Sequence, residues 1–136
     1  MTALRYLLDT NICIYIANSR PRGVARRFAR LPSGSVGMSL ITYGELRFGA
    51  EKSRQRETAL DVLEQFAELV PVLSPDAAVG QAYGALRAHL QRTGTPIGNN
   101  DLWIAAHALA LSVTLVSNNT REFERVPGLD LQNWVD

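Results

Sequence analysis

Apolar residues are arranged along this chain in two rhythms. Short, largely apolar runs at 5–8 (RYLL), 36–40 (VGMSL), 70–73 (VPVL) and 113–116 (VTLV) predict buried strands. Between them the apolar positions fall every three or four residues, the spacing of one helix face. ICIYIA follows Asp9, Thr10 and Asn11, three residues suited to a helix start. Pro21 opens a second helix through Leu31, with Val24, Phe28 and Leu31 on one side, and Thr42 begins a third with Leu46 and Phe48 inside. Leu60, Leu63, Phe66, Ala67 and Val70 mark the next, and Ser74, Pro75 and Asp76 start the longest, which runs to about Thr93 and stops at Gly94. LWIAAHALAL is helical from Asp101, a short helix carries Phe123, and LDLQNWV supplies an edge strand. Strands alternating with helices predict an α/β fold with a mostly parallel sheet covered on both faces.

The 136 residues and 46% apolar content suit a single domain spanning 1–136 with one well-filled interior. MTALRYLLDTN has too short an apolar run for a signal peptide, and no stretch approaches the ~20 apolar residues of a membrane span. With one cysteine, Cys13, among isoleucines, no internal disulfide can form, and a reducing cytoplasm is the expected location. Cys13 reads as a small buried apolar residue, since no histidine lies near it in sequence.

A formal net charge of +1 neither favours nor excludes nucleic acid. The distribution says more: every basic residue except Lys52 is arginine, and five lie between Arg20 and Arg30. Arg22, Arg26 and Arg30 are four apart and share a helix face, where their planar forks suit RNA phosphate.

Polar residues punctuate the ends of the apolar runs. Asp9, Glu45, Asp101, and Asn119 with Glu122 each stand where a strand ends or a helix begins. Singly, each has a local explanation. Thr42 and Glu45 form a T-x-x-E capping box, Asn119 and Glu122 a similar pair, and Asp9 and Asp101 can cap helices. Together they predict an oxygen-rich pocket, because the carboxyl ends of parallel strands share one sheet edge. Carboxylates so gathered repel one another, and no lysine is near to offset them. A divalent cation is the economical counter-charge, and all-oxygen ligation favours Mg²⁺ or Mn²⁺ over zinc.

Other chemistries fit less well. His89 and His107 are the only histidines, and both read as structural, which argues against RNA cleavage by a histidine pair. A haloacid-dehalogenase-type phosphatase needs D-x-D after its first strand, where this chain has Asp9 and Asn11. A response-regulator receiver needs a lysine after a late strand, and Lys52 is elsewhere.

LLDTN at 7–11, ELRFGA at 45–50, GNNDLWIAAHAL at 98–109 and LVSNNTREFERVPGL at 115–129 together resemble the PIN-domain ribonucleases, most closely the VapC-type toxins of bacterial toxin-antitoxin pairs. The resemblance spans nearly the whole chain. It implies an α/β/α sandwich with a mostly parallel central sheet of about five strands, and a metal-dependent endoribonuclease. It also implies that Asp9 and Asp101 ligate Mg²⁺, that Glu45 is the glutamate between them, and that Thr10 supports the site. Where the wider family has an aspartate at the end of the fourth strand, this chain has Asn119, and Glu122 three residues on can supply the charge. The implied substrate is structured RNA, often a tRNA cut in its anticodon stem-loop. The implied partners are a VapB-type antitoxin and a second copy in a homodimer, with DNA reached only through the antitoxin. Asn119 keeps a second expectation open: a PIN-like subunit with a weakened site, serving mainly in an antitoxin-bound DNA-binding repressor complex.

Overall fold

A computed structural model describes residues 3–135, so Met1, Thr2 and Asp136 of the expected 1–136 domain lie outside it. The chain runs β1 (Tyr6–Leu8), α1 (Thr10–Asn18), α2 (Arg22–Ala29), β2 (Val36–Ser39), α3 (Leu40–Glu51), α4 (Arg56–Leu69) and β3 (Val72–Leu73). It continues through α5 (Ala77–Arg92), α6 (Asn99–Leu111), β4 (Thr114–Val116), α7 (Thr120–Phe123) and β5 (Leu131–Gln132). The five strands form one sheet in the order β3-β2-β1-β4-β5, and every pairing is parallel. The expected sheet of about five strands is therefore present, with LQ as an edge strand.

Strand alternation divides the interior in two. Tyr6, Leu8, Val36, Met38 and Val116 face a core with Ile12, Ile16, Val24 and Phe66 of α1, α2 and α4. Leu7 and Leu115 face the other, with Leu86 and Leu90 of α5, Leu102, Ile104 and Ala105 of α6, and Phe123. Fully buried side chains such as Leu7 and Leu8 each stabilise the fold by roughly 1.5–3 kcal/mol. Gly37 packs tightly between β2 and β3: a Cβ there would sit 2.8 Å from Leu73 Cδ1, which would have to move, and 3.3 Å from the Pro71 carbonyl oxygen.

Five local readings need correction. The third helix starts at Leu40, not Thr42, because Ser39 ends β2 and its Oγ accepts from the Ile41 N–H at 3.2 Å. Thr42 is inside the helix and fully buried, so it forms no capping box with Glu45. Phe48, expected inside, is 64% exposed. The sixth helix starts at Asn99 after Gly98, placing Asp101 in its first turn. Asn119 precedes α7 without a side-chain capping bond, so the second suspected box is absent too. Two of the local explanations for the polar residues therefore fail, which leaves Glu45, Asn119 and Glu122 without a capping role.

Cys13 and His107 are structural, as expected. Cys13 is buried, and burial pushes its thiol well above its usual range. His107 is buried with Nδ1 2.8 Å from Ser39 Oγ, and burial lowers its pKa and keeps it neutral. No helix among the described residues is long and apolar enough to cross a membrane.

Candidate active site

The register of β1 against β4 pairs Leu8 with Val116, so the residues that follow, Asp9 and Ser117, are neighbours at the carboxyl edge. Asp9 N–H extends the ladder to the Val116 carbonyl at 2.9 Å. The Asp9 carboxylate, only 5% exposed, accepts from the Thr10 N–H at 2.7 Å and from Ser117 Oγ at 2.7 Å. Burial raises its pKa, and those two donors work against the rise. Ser117 also accepts from the Asn119 N–H at 2.9 Å, so one hydroxyl fixes both Asp9 and the turn carrying Asn119.

Glu45 arrives from α3. Thr10 Oγ1 donates to its Oε1 at 3.2 Å, and partial burial raises its pKa, with Asp9 adding repulsion. Asp101 comes from the first turn of α6, and burial is the largest cause of its rise to a pKa of about 8. A hydrogen bond with Glu122 adds to it, and so do the charges of Asp9, Glu122 and Glu45. Glu122, more exposed, is held below its ordinary value chiefly by the same bond. The Asn119 amide donates to Asp101 Oδ2 at 3.3 Å and to Glu122 Oε2 at 2.9 Å, clamping the pair. Glu122 Oε1 further accepts from the Gly98 N–H at 3.2 Å, which ties α7 to the start of α6.

Asp9, Thr10, Asn11, Glu45, Asp101, Asn118 and Asn119 line one open cleft of about 390 Å³. The structure thus brings together four of the five expected acidic or amide positions, with Glu122 just behind as their anchor. Arg22, Arg26 and Arg30 are exposed on α2, and none lines the cleft. Arg47, the basic residue nearest Glu45 in sequence, pairs instead with Glu51 and Glu64. Among the described residues no arginine or lysine makes an ion pair with Asp9, Glu45, Asp101 or Glu122.

These residues suit a hard cation. The lining offers three carboxylates and three amides with no basic side chain among them, and among the described residues Asn118 Oδ1 is a buried acceptor lacking any hydrogen-bond partner. Among the described residues no three Asp, Glu, His or Cys side chains close on a single point. That arrangement fits an ion which takes one or two carboxylates and keeps several waters. Asn11, Ser117 and Asn118 are participants the sequence did not single out as site residues; Ser117 becomes evident only when β4 is laid beside β1. Ser117→Ala should leave one buried Asp9 oxygen without a donor and cost about 1–3 kcal/mol in urea unfolding, while cleavage falls and Ser117→Thr retains most of both.

The PIN domain family model matches residues 6–129. Relatives include the ribonuclease VapC1 of Haemophilus influenzae strain R2866, 44% identical over 96% of this chain and 98% of its own. The tRNA(fMet)-specific endonuclease VapC of Shigella flexneri is 45% identical with the same coverage. This chain belongs to the VapC ribonucleases of the PIN-domain family. The DNA-bound VapBC crystal structure from Salmonella typhimurium contains a similar VapC fold, with a TM-score of 0.91 and 41% identity, over 97% of this chain and 99% of that one. As a PIN-domain VapC ribonuclease, the chain is a metal-dependent nuclease, and its acidic cleft lies at the sheet edge where such chemistry is expected.

Proposed function

We propose that this VapC-family protein is the toxin of a VapBC-type pair and hydrolyses RNA phosphodiester bonds in the acidic cleft, with Mg²⁺ or Mn²⁺ as its cation. The observation that carries the reading is the convergence of Asp9, Glu45, Asp101 and Asn119 on one cleft, where among the described residues no basic side chain lines the cleft or forms an ion pair with these acids. Asp9 and Asp101 would hold the cation. When bound, it supplies Lewis acidity, acidifying water and offsetting the charge that gathers on the phosphate. Thr10 orients Glu45, which accepts a proton from the attacking water, its raised pKa suiting that task. Asn119 and Glu122 keep Asp101 in place, the Asn119 amide donating to both carboxylates.

Structured RNA is the substrate class, and tRNA is the first to test, because the Shigella relative is named for tRNA(fMet). Arg22 and Arg26 of α2, with Arg30 just past its end, offer a phosphate-binding face outside the cleft lining. A VapB-type antitoxin, a homodimer, a single domain over 1–136 and a cytoplasmic setting complete the reading, with DNA engaged only through the antitoxin.

Antitoxin-free protein should cleave total RNA in Mg²⁺, stop when EDTA is added, and resume with excess Mg²⁺ or Mn²⁺. RNA left intact under all these conditions would favour the repressor-subunit alternative instead.

A further inference from the structure

We infer that Arg87 and Arg125 grip the ribose-phosphate backbone of the RNA strand where it crosses the rim of the acidic cleft, over the loop at 94–98. This inference rests on the ribonuclease reading and names the contacts by which that site holds its substrate. The loop joins α5 to α6 and ends at Gly98, whose N–H bonds Glu122 behind Asp101. Arg125, beyond α7, donates from Nη1 to the Pro96 carbonyl at 2.7 Å and is near enough to Glu122 to help lower its pKa. On the α5 side, Arg87 Nη1 donates to the Tyr83 hydroxyl at 2.9 Å, which donates to Asn99 Oδ1 at 2.5 Å. The Tyr83 ring stacks on Trp103 at 3.8 Å and 12°, so Arg87 is held by a rigid aromatic support. A hollow of about 140 Å³ lined by Arg87, Gln91, Pro96 and Asn99 lies on this side of the loop.

Both guanidiniums are exposed, and among the described residues neither forms an ion pair with a carboxylate. Each has one N–H committed to the loop or its support, which fixes the fork and leaves the remaining donors for a ligand. The chemistry of the cleft demands such groups. An RNA strand brings a negative charge with each nucleotide to a site that is itself acidic, and a cation at the scissile phosphate leaves its neighbours unbalanced. Arg87 and Arg125 also stand outside the cleft lining, but they are tied to the loop that leads into α6 and Asp101, and from there they supply that balance to the phosphates beyond the cleft.

The test uses end-labelled total tRNA and the full chain. In an Asp9→Asn background, which binds without turnover, adding Arg87→Gln and Arg125→Gln together should weaken tRNA binding by about tenfold and flatten its salt dependence by about 1–2 in slope. Replacing both with lysine should recover most of the affinity. With Asp9 intact, the glutamine pair should raise KM while kcat stays near the parent value, and the Mg²⁺-induced thermal shift should be retained. Unchanged affinity and salt slope in a protein that does cleave tRNA would overturn the clamp and leave the ribonuclease reading standing, as would a fall in kcat at constant KM. A parent protein that never cleaves RNA would instead sink the reading itself.

Discussion

Asp9→Asn should abolish RNA cleavage, by more than the ~10–100-fold that losing an outer-shell partner of a metal usually costs, while leaving the fold intact. The structure explains both halves of that result. Asparagine retains an oxygen for the Thr10 N–H, and its amide can donate to Ser117 Oγ, so the polar contacts of this nearly buried side chain survive in altered sense. The charge that would attract a cation is gone, and with it the desolvation penalty that raises the Asp9 pKa. Thermal unfolding of the metal-free variant should match or exceed the parent, whereas single-turnover cleavage should be undetectable. A variant that unfolds early would show that Asp9 is chiefly a structural cap, as its bond to Thr10 N–H could suggest.

Asp101→Asn should separate activity from stability even more sharply. In the metal-free protein Asp101 titrates near 8, against 3.8 for an ordinary aspartate, with burial the main cause and the Glu122 hydrogen bond next. A carboxyl whose pKa is raised by folding keeps its proton in the folded state while the unfolded chain has released it. Its contribution to stability is therefore complete below about pH 4 and is lost as pH rises towards 8. Asparagine imitates the protonated form at every pH. The variant should equal the parent near pH 4 and exceed it at pH 8 by on the order of 1–2 kcal/mol, a figure discounted for the solvent that screens this half-buried group. Glu122, held down by the same bond, offsets part of the gain. Mg²⁺ should raise the thermal midpoint of the parent at pH 8 and not that of Asp101→Asn, because ligation requires the carboxylate. Urea or thermal unfolding at the two pH values, with and without Mg²⁺, measures all of this. A variant less stable than the parent at pH 8 would contradict the assignment of Asp101 as a strained, uncompensated charge.

Much of this architecture was legible in the residues. The runs at 5–8, 36–40 and 113–116 do carry strands, the second ending one residue early at Ser39, and polar residues beyond them meet at one edge, because parallel strands leave their carboxyl ends together. Helix starts were less legible. Thr42 with Glu45 has the pattern of a capping box, yet Ser39 caps the helix directly from the strand end and buries Thr42 within it. Phe48 matched an interior spacing but faces outward, since apolar periodicity does not say which flank of a helix is covered. Ser117 was passed over because its importance lies in the pairing of β1 with β4, more than a hundred residues apart in sequence. Arg87 and Arg125 were invisible for the same reason. The Arg22, Arg26 and Arg30 stripe stood out by spacing alone, while Arg87 and Arg125, thirty-eight residues apart, are tied to the two sides of the loop at 94–98 only through its fold.

Placement also clarifies the role of Asn119. An amide where relatives of the wider fold family carry an acid could have signalled a weakened site. Here it spans Asp101 and Glu122, donating to both and lessening their repulsion. Its work is to hold two carboxylates together, which a further aspartate could not do without a proton.

Cleavage of tRNA by the antitoxin-free protein, followed by analysis of the new ends, tests the central claim most directly. Hydrolysis in a cation-dependent acidic cleft predicts one hydroxyl and one monophosphate end, with no product in EDTA. Ends bearing a 2′,3′-cyclic phosphate, formed at the same rate in EDTA, would contradict it.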